Sequence, residues 1–104
     1  MHREIISQDS ALVVRRQVLE PGEAMPWHTD PCRRFTVVVG GNGLAIEIRE
    51  TGERIPVAVH PGLAEWDEPK TRVQCGVNVG SEPYEEMVLF FLPTPGADPQ
   101  PEVE

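Results

Sequence analysis

Apolar positions recur along this chain with a period of two, in short bursts separated by glycine and proline. Leu44, Ile46 and Ile48 alternate with Ala45, Glu47 and Arg49, and Val73, Cys75, Val77 and Val79 alternate with Arg72, Gln74, Gly76 and Asn78. Such alternation predicts strands with one face covered. Leu12–Val18 is rich in branched residues, Phe35–Val39 is a short apolar run, and Ile55–Val59 and Leu63–Trp66 complete the series. Pro21-Gly22, Gly40-Gly41-Asn42-Gly43, Thr51-Gly52-Glu53, Pro61-Gly62 and Gly80–Pro83 supply the turns between them. Met87–Leu92 is apolar without alternation, so both its faces are expected to be covered, by the opposite sheet and by a second subunit. No segment holds a helical period. Seven or eight short strands with these turns predict an all-β sandwich or barrel.

The 104 residues suffice for one domain, expected over residues 11–92 after an N-terminal extension of residues 1–10 with a disordered His2. From Pro93 the composition changes: Pro93, Pro95, Pro99 and Pro101 are interspersed with glycine, alanine and acids, which predicts a flexible, Pro-rich acidic tail over residues 93–104. Nine Lys and Arg against 17 Asp and Glu give a net charge of −8. That charge repels phosphate backbones and anionic lipid, which argues against nucleic-acid and membrane partners. No apolar run has the length of a signal peptide, and the expected location is cytoplasmic. Cys32 and Cys75 are too few for a disulfide framework and are expected as two reduced thiols.

One spacing carries candidate chemistry: Gly22-x5-His28-x-Asp30-x3-Arg34-x6-Gly41. With Pro61-Gly62, Trp66 and Gln74-Cys75-Gly76-Val77-Asn78 downstream, the chain resembles the cupin superfamily, specifically the small single-domain bacterial cupins, over about Leu12 to Leu92. The resemblance implies a conical β-barrel (a double-stranded β-helix, or jelly roll) with a pocket between its sheets, and homodimers. In metal-binding members of that superfamily, two histidines and a glutamate from the first motif join a histidine from the second. Here only His28 matches; Asp30, Arg34 and Gln74 stand at the other three positions.

A metal needs lone-pair donors, and Arg34 has none to offer and stays charged. At about 5 Å from a divalent ion its repulsion is roughly 6–7 kcal/mol at an effective dielectric of 20. Asp30 and Arg34 are therefore expected to pair with each other in a pocket without a catalytic metal. The competing arrangement keeps His28 and Asp30 as ligands, with Cys32 or Gln74 completing a weak site for iron, zinc, manganese or nickel.

Other residues leave alternatives open. His28 beside Asp30 also fits metal-free acid–base chemistry, as the resemblance to sugar-epimerase cupins implies. Arg34 could hook an anion through its planar fork, with Arg72 adding to it. Trp27 and Trp66 either line the pocket mouth or pack in the core. His60 is expected in a surface turn, and Glu65, Glu85 and Glu86 on the wet face of strands. The glycine-rich stretch at 40–43 precedes no helix and is read as a turn, not a phosphate loop. Three functions follow: a barrel binding a polar or anionic small molecule at His28, Asp30, Arg34, Gln74, Trp27 and Trp66; a metal-dependent oxidoreductase with altered ligands; and a metal-free isomerase or epimerase.

Overall fold

The computed structural model describes all 104 residues, Met1–Glu104, and contains nine strands and no helix. They are β1 (His2–Gln8), β2 (Leu12–Leu19), β3 (His28–Asp30), β4 (Arg33–Gly40), β5 (Leu44–Ile48), β6 (Arg54–Val57), β7 (Ala64–Asp67), β8 (Lys70–Val77) and β9 (Tyr84–Phe91). A five-stranded sheet has the order β1-β2-β9-β4-β7 and a four-stranded sheet the order β3-β8-β5-β6. All pairings are antiparallel. A single cavity of about 200 Å³ is lined from both sheets. The expected barrel is thus two facing sheets around a pocket.

Turn chemistry sets the strands against one another. Gly41 has φ +124°, and a Cβ there would lie 3.0 Å from the Tyr84 Cα. At Gly43 a Cβ would lie 2.8 Å from the backbone of Gly80, so the turns at 40–43 and 80–83 touch only because both positions are glycine. Asn78 is the buried knot beside them. Its Nδ2 donates to the carbonyls of Leu19 and Glu82 at 2.9 and 2.8 Å, and its Oδ1 accepts from the Gly80 amide. The asparagine of the second sequence motif therefore shapes backbone. Leu19, Met25, Val38, Leu44, Cys75, Val77 and Tyr84 form the larger apolar cluster; Val13, Val88 and Phe90 form a smaller one.

Both chain ends depart from the sequence expectation. Residues 2–8 are a strand, not an extension, paired with β2 from His2↔Val18 to Gln8↔Val13 with a bulge between Ile5 and Ser7. The adjacent exposed pair Ile5-Ile6 masked its alternation, and His2 lies within this strand rather than in disorder. The tail is a folded strap. The Thr29 amide donates to the Pro101 carbonyl at 3.1 Å, the Val103 amide donates to the Trp27 carbonyl at 2.8 Å, and Gln100 is buried. A proline lacks a donor but keeps its acceptor, so a Pro-rich segment can still line a strand edge.

The apolar run at Met87–Leu92 is also covered on only one face within the chain. Val88 and Phe90 point into the core, whereas Met87 and Leu89 are half-buried on the outer face and Phe91 is exposed. Cys32 and Cys75 are free and buried.

Candidate functional site

His28 and Asp30 stand two residues apart on β3 and so share its inner face. The facing strand β8 has His28 opposite Gln74 and Asp30 opposite Lys70, with a register shift between the two pairs. Arg34 comes from β4 in the other sheet and Gln100 from the strap.

These side chains converge on Asp30, which is 1% exposed. Its Oδ1 accepts from Gln100 Nε2 at 3.0 Å and lies 3.2 Å from Arg34 Nη1. Its Oδ2 accepts from Gln74 Nε2 at 2.7 Å and lies 3.4 Å from His28 Nε2. Two further arginines act at one remove. Arg72 donates to Gln74 Oε1 at 2.7 Å and Arg15 to Gln100 Oε1 at 3.3 Å. Burial alone would raise the carboxyl pKa of Asp30, but the His28 hydrogen bond and the Arg34 charge outweigh it and hold it well below the usual carboxylate range.

Burial likewise disfavours a charged His28, but the hydrogen bond and charge of Asp30, with the Pro26 carbonyl 2.8 Å from Nδ1, raise its pKa. An imidazolium donates from Nδ1 to Pro26 and presents its second N–H to Asp30. Arg34 is paired but not saturated. Nη1 is within ion-pair distance of Asp30, yet its N–H is not aligned for a hydrogen bond and finds no other acceptor, while Nη2 lies 3.7 Å from Asp67.

A second buried carboxyl lines the same cavity. Glu86 accepts from Tyr84 Oη at 2.6 Å and from Gln17 Nε2 at 2.8 Å, and burial pushes its pKa up. Burial and the Glu86 charge raise the Tyr84 phenol as well. Asp30 and Glu86, on different walls of the pocket, thus have carboxyl pKa values shifted in opposite directions.

His28, Asp30, Arg34 and Gln74, all proposed from sequence, are brought together as cavity-lining residues, and Arg72 joins them. Trp27 and Trp66 do not line it. Trp27 packs against the larger apolar cluster. Trp66 is on the outer face of β7, its ring 4.8 Å from Phe35 and 5.4 Å from Phe91 with the Arg33 guanidinium 3.9 Å away. It follows Glu65, which faces in, so strand alternation turns it out.

Glu86 corrects the wet-face expectation, since it is buried and lines the cavity; Glu65 also lines the cavity but is exposed as expected, and Glu85 points out and pairs with Arg16 at 2.8 Å. Glu86 falls in phase with Tyr84, Val88 and Phe90, and that phase was a signal available in the sequence. Nothing local marks Gln17 or Gln100. His60 is exposed, with Nδ1 3.1 Å from the Pro61 carbonyl.

The donor set does not fit the metal that the resemblance implies. Nowhere do three His, Cys, Asp or Glu side chains converge. Around His28 and Asp30 the remaining positions are held by Arg34, Gln74 and Gln100, and each amide already turns its NH2 group to Asp30.

Solved structures share this architecture. A cupin domain from Bordetella pertussis Tohama I superposes with a TM-score of 0.77 at 13% identity, over 88% of this chain and 92% of that one. The chain has the cupin fold. A double-stranded β-helix protein from Klebsiella pneumoniae gives a TM-score of 0.71 at 20% identity, over 99% and 84% of the two chains. The polyketide cyclase RemF of Streptomyces resistomycificus gives 0.67 at 16%, over 98% and 70%. No protein-family model matches the sequence, and no curated protein matches it. No helix of this cupin-fold chain is long and apolar enough to cross a membrane.

Proposed function

We propose that this cupin-fold protein binds a polar or anionic small molecule in the cavity between its sheets, without a catalytic metal. The observation that carries the reading is Arg34: a half-buried guanidinium whose buried Nη1 has an unsatisfied N–H, lining a cavity of about 200 Å³. Met25, Val38, Leu44 and Val57 supply an apolar wall, and His28, Asp30 and Gln74 a polar one. That combination suits a small ligand with one polar end. A melting-temperature screen against small carboxylates and phosphates tests it. A shift in the wild-type protein that disappears in Arg34→Ala supports the reading; a shift that survives removes Arg34 from it.

The protein is taken to be cytoplasmic and to form a homodimer through the outer face of its five-stranded sheet. Val39, Trp66 and Phe91 are exposed there at 47, 49 and 40%, an apolar grouping that a second copy would cover.

A second reading, metal-free proton transfer by His28, draws on its 3.4 Å approach to Asp30. The raised pKa makes the neutral imidazole a stronger base, and Asp30 would stabilise the imidazolium that forms when it takes a proton and exchanges it with solvent. Solvent hydrogen exchange into a bound carbonyl compound, abolished in His28→Gln, is the result this reading requires.

A further inference from the structure

Gln100 is a buried carboxamide held between opposite charges. Its oxygen is 3.3 Å from Arg15 Nη1, and its nitrogen is 3.0 Å from Asp30 Oδ1 and 3.4 Å from His28 Nε2. The orientation is fixed chemically, since a guanidinium only donates and an ionised carboxylate only accepts. Arg15 is itself buried, stacked 5.3 Å from the Phe90 ring, and its Nε has no partner. The slot therefore has a cationic end with spare donor capacity and an anionic end.

Such a slot selects by dipole. A carboxylate in it would face Asp30, and an ammonium or guanidinium would face Arg15. A neutral group with a carbonyl at one end and NH2 at the other satisfies both. Gln74 repeats the arrangement between Arg72 and Asp30, at 2.7 Å on each side, but it sits within β8 and cannot leave without breaking the sheet. Gln100 sits on a strap joined to β3 and its approach by two backbone hydrogen bonds, with a half-exposed Arg3–Glu102 pair at 3.5 Å and an Arg49 contact to the Glu104 carbonyl beside them. A segment so attached opens at far lower cost than a core strand.

The geometry points to a carboxamide-binding subsite, formed by Arg15 and Asp30 at the strap end of the cavity, which the chain's own Gln100 fills and which a small primary amide or urea takes when the strap lifts. Gln100 lines the cavity with His28 and Asp30, so the vacated slot is continuous with it. The inference rests on Arg15 and Gln100 rather than on the anion reading of Arg34, and the two fail separately.

The test uses propionamide, with propionate and propylammonium as charged isosteres. In Gln100→Gly, propionamide is expected to raise the melting temperature saturably by several degrees while the charged analogues do not. The wild type, its slot filled, should shift less. A Gln100→Gly response no larger than wild type, or one matched by propionate, overturns the subsite. Hydrogen exchange on the wild-type protein decides the case even if that variant does not fold. Propionamide should accelerate exchange of the Thr29 and Val103 amides several-fold and leave Val88 unchanged, whereas unaltered Thr29 and Val103 exchange overturns displacement of the strap.

Discussion

Arg34 on β4 and Asp30 on β3 lie 3.2 Å apart at Nη1 and Oδ1, so one ion pair joins the inner walls of two different sheets. Asp30→Asn would turn an amide NH2 towards a ring of donors from Gln74, Gln100 and Arg34. Removing one partner of a buried pair typically costs about 3–5 kcal/mol, because the other charge is left uncompensated. Urea denaturation should show a loss of that order with an unchanged m-value. A loss below about 1 kcal/mol would mean that water already screens the cluster.

The two carboxyls of the pocket oppose each other in pH. The depressed pKa of Asp30 contributes stability that is full above its unfolded value of 3.8 and is lost as pH falls through the folded one. Glu86 is shifted the other way, so its contribution is full below 4.5 and is lost as pH rises towards its raised folded value. Glu86→Gln fixes the neutral form. Measured by denaturation from pH 4 upwards, the variant should gain relative to wild type until the folded pKa is passed, after which the difference between them should stay constant. A difference that does not change with pH would show that Glu86 ionises freely in the fold.

His28 adds a loss on the alkaline side. Its raised pKa gives stability that is complete below 6.5 and disappears as pH rises through the folded value. The imidazole resonance of His28 should titrate above 6.5 by NMR, and its midpoint should fall in Asp30→Asn. A midpoint indifferent to that substitution would separate the two side chains energetically.

Restoring lone-pair donors should create metal binding. Arg34→Glu with Gln74→His removes the cation and adds a carboxylate and an imidazole beside His28 and Asp30. Calorimetry should detect nickel or zinc binding to the double variant and none to the wild type. Stoichiometric metal in unsupplemented wild-type protein would reverse the reading of the site.

Gly22 and Gly41 bound the motif spacing at its two ends, and their substitution has different costs. At Gly22, φ is +86° and a Cβ would meet nothing within 4 Å, so Gly22→Ala should cost only the left-handed backbone strain, about 1–2 kcal/mol. Gly41→Ala adds the Tyr84 contact at 3.0 Å, and overpacking of that kind brings a further loss of about 1–3 kcal/mol. Equal losses in thermal denaturation would place Tyr84 further away than 3.0 Å.

What could be read from sequence was what short range specifies. The Gly22–Gly41 frame and the β5 and β8 alternations gave the fold, and the opposite charges of Asp30 and Arg34 at ligand positions pointed to their pairing. The remainder of the site depends on pairs distant in sequence: Gln17 with Glu86 at 69 residues, Gln100 with Asp30 at 70, and Arg15 with Gln100 at 85. A glutamine or arginine in a strand carries no local mark of such a partner. The tail was misread for a related reason, since its composition reports missing donors and not the carbonyls that Thr29 finds at Pro101.

The strap also bears on how the chain avoids its own kind. β3 is three residues long and ends its sheet, and the strap runs beside it through the His28↔Glu102 bridge. Uncovered, that border would offer free amides and carbonyls to any passing strand. A proline-rich cover seals it with a segment that makes a poor template for further pairing. Lifting the strap to admit a ligand would therefore bare an adhesive edge, so the receptive form of the pocket would also be the form most prone to aggregate.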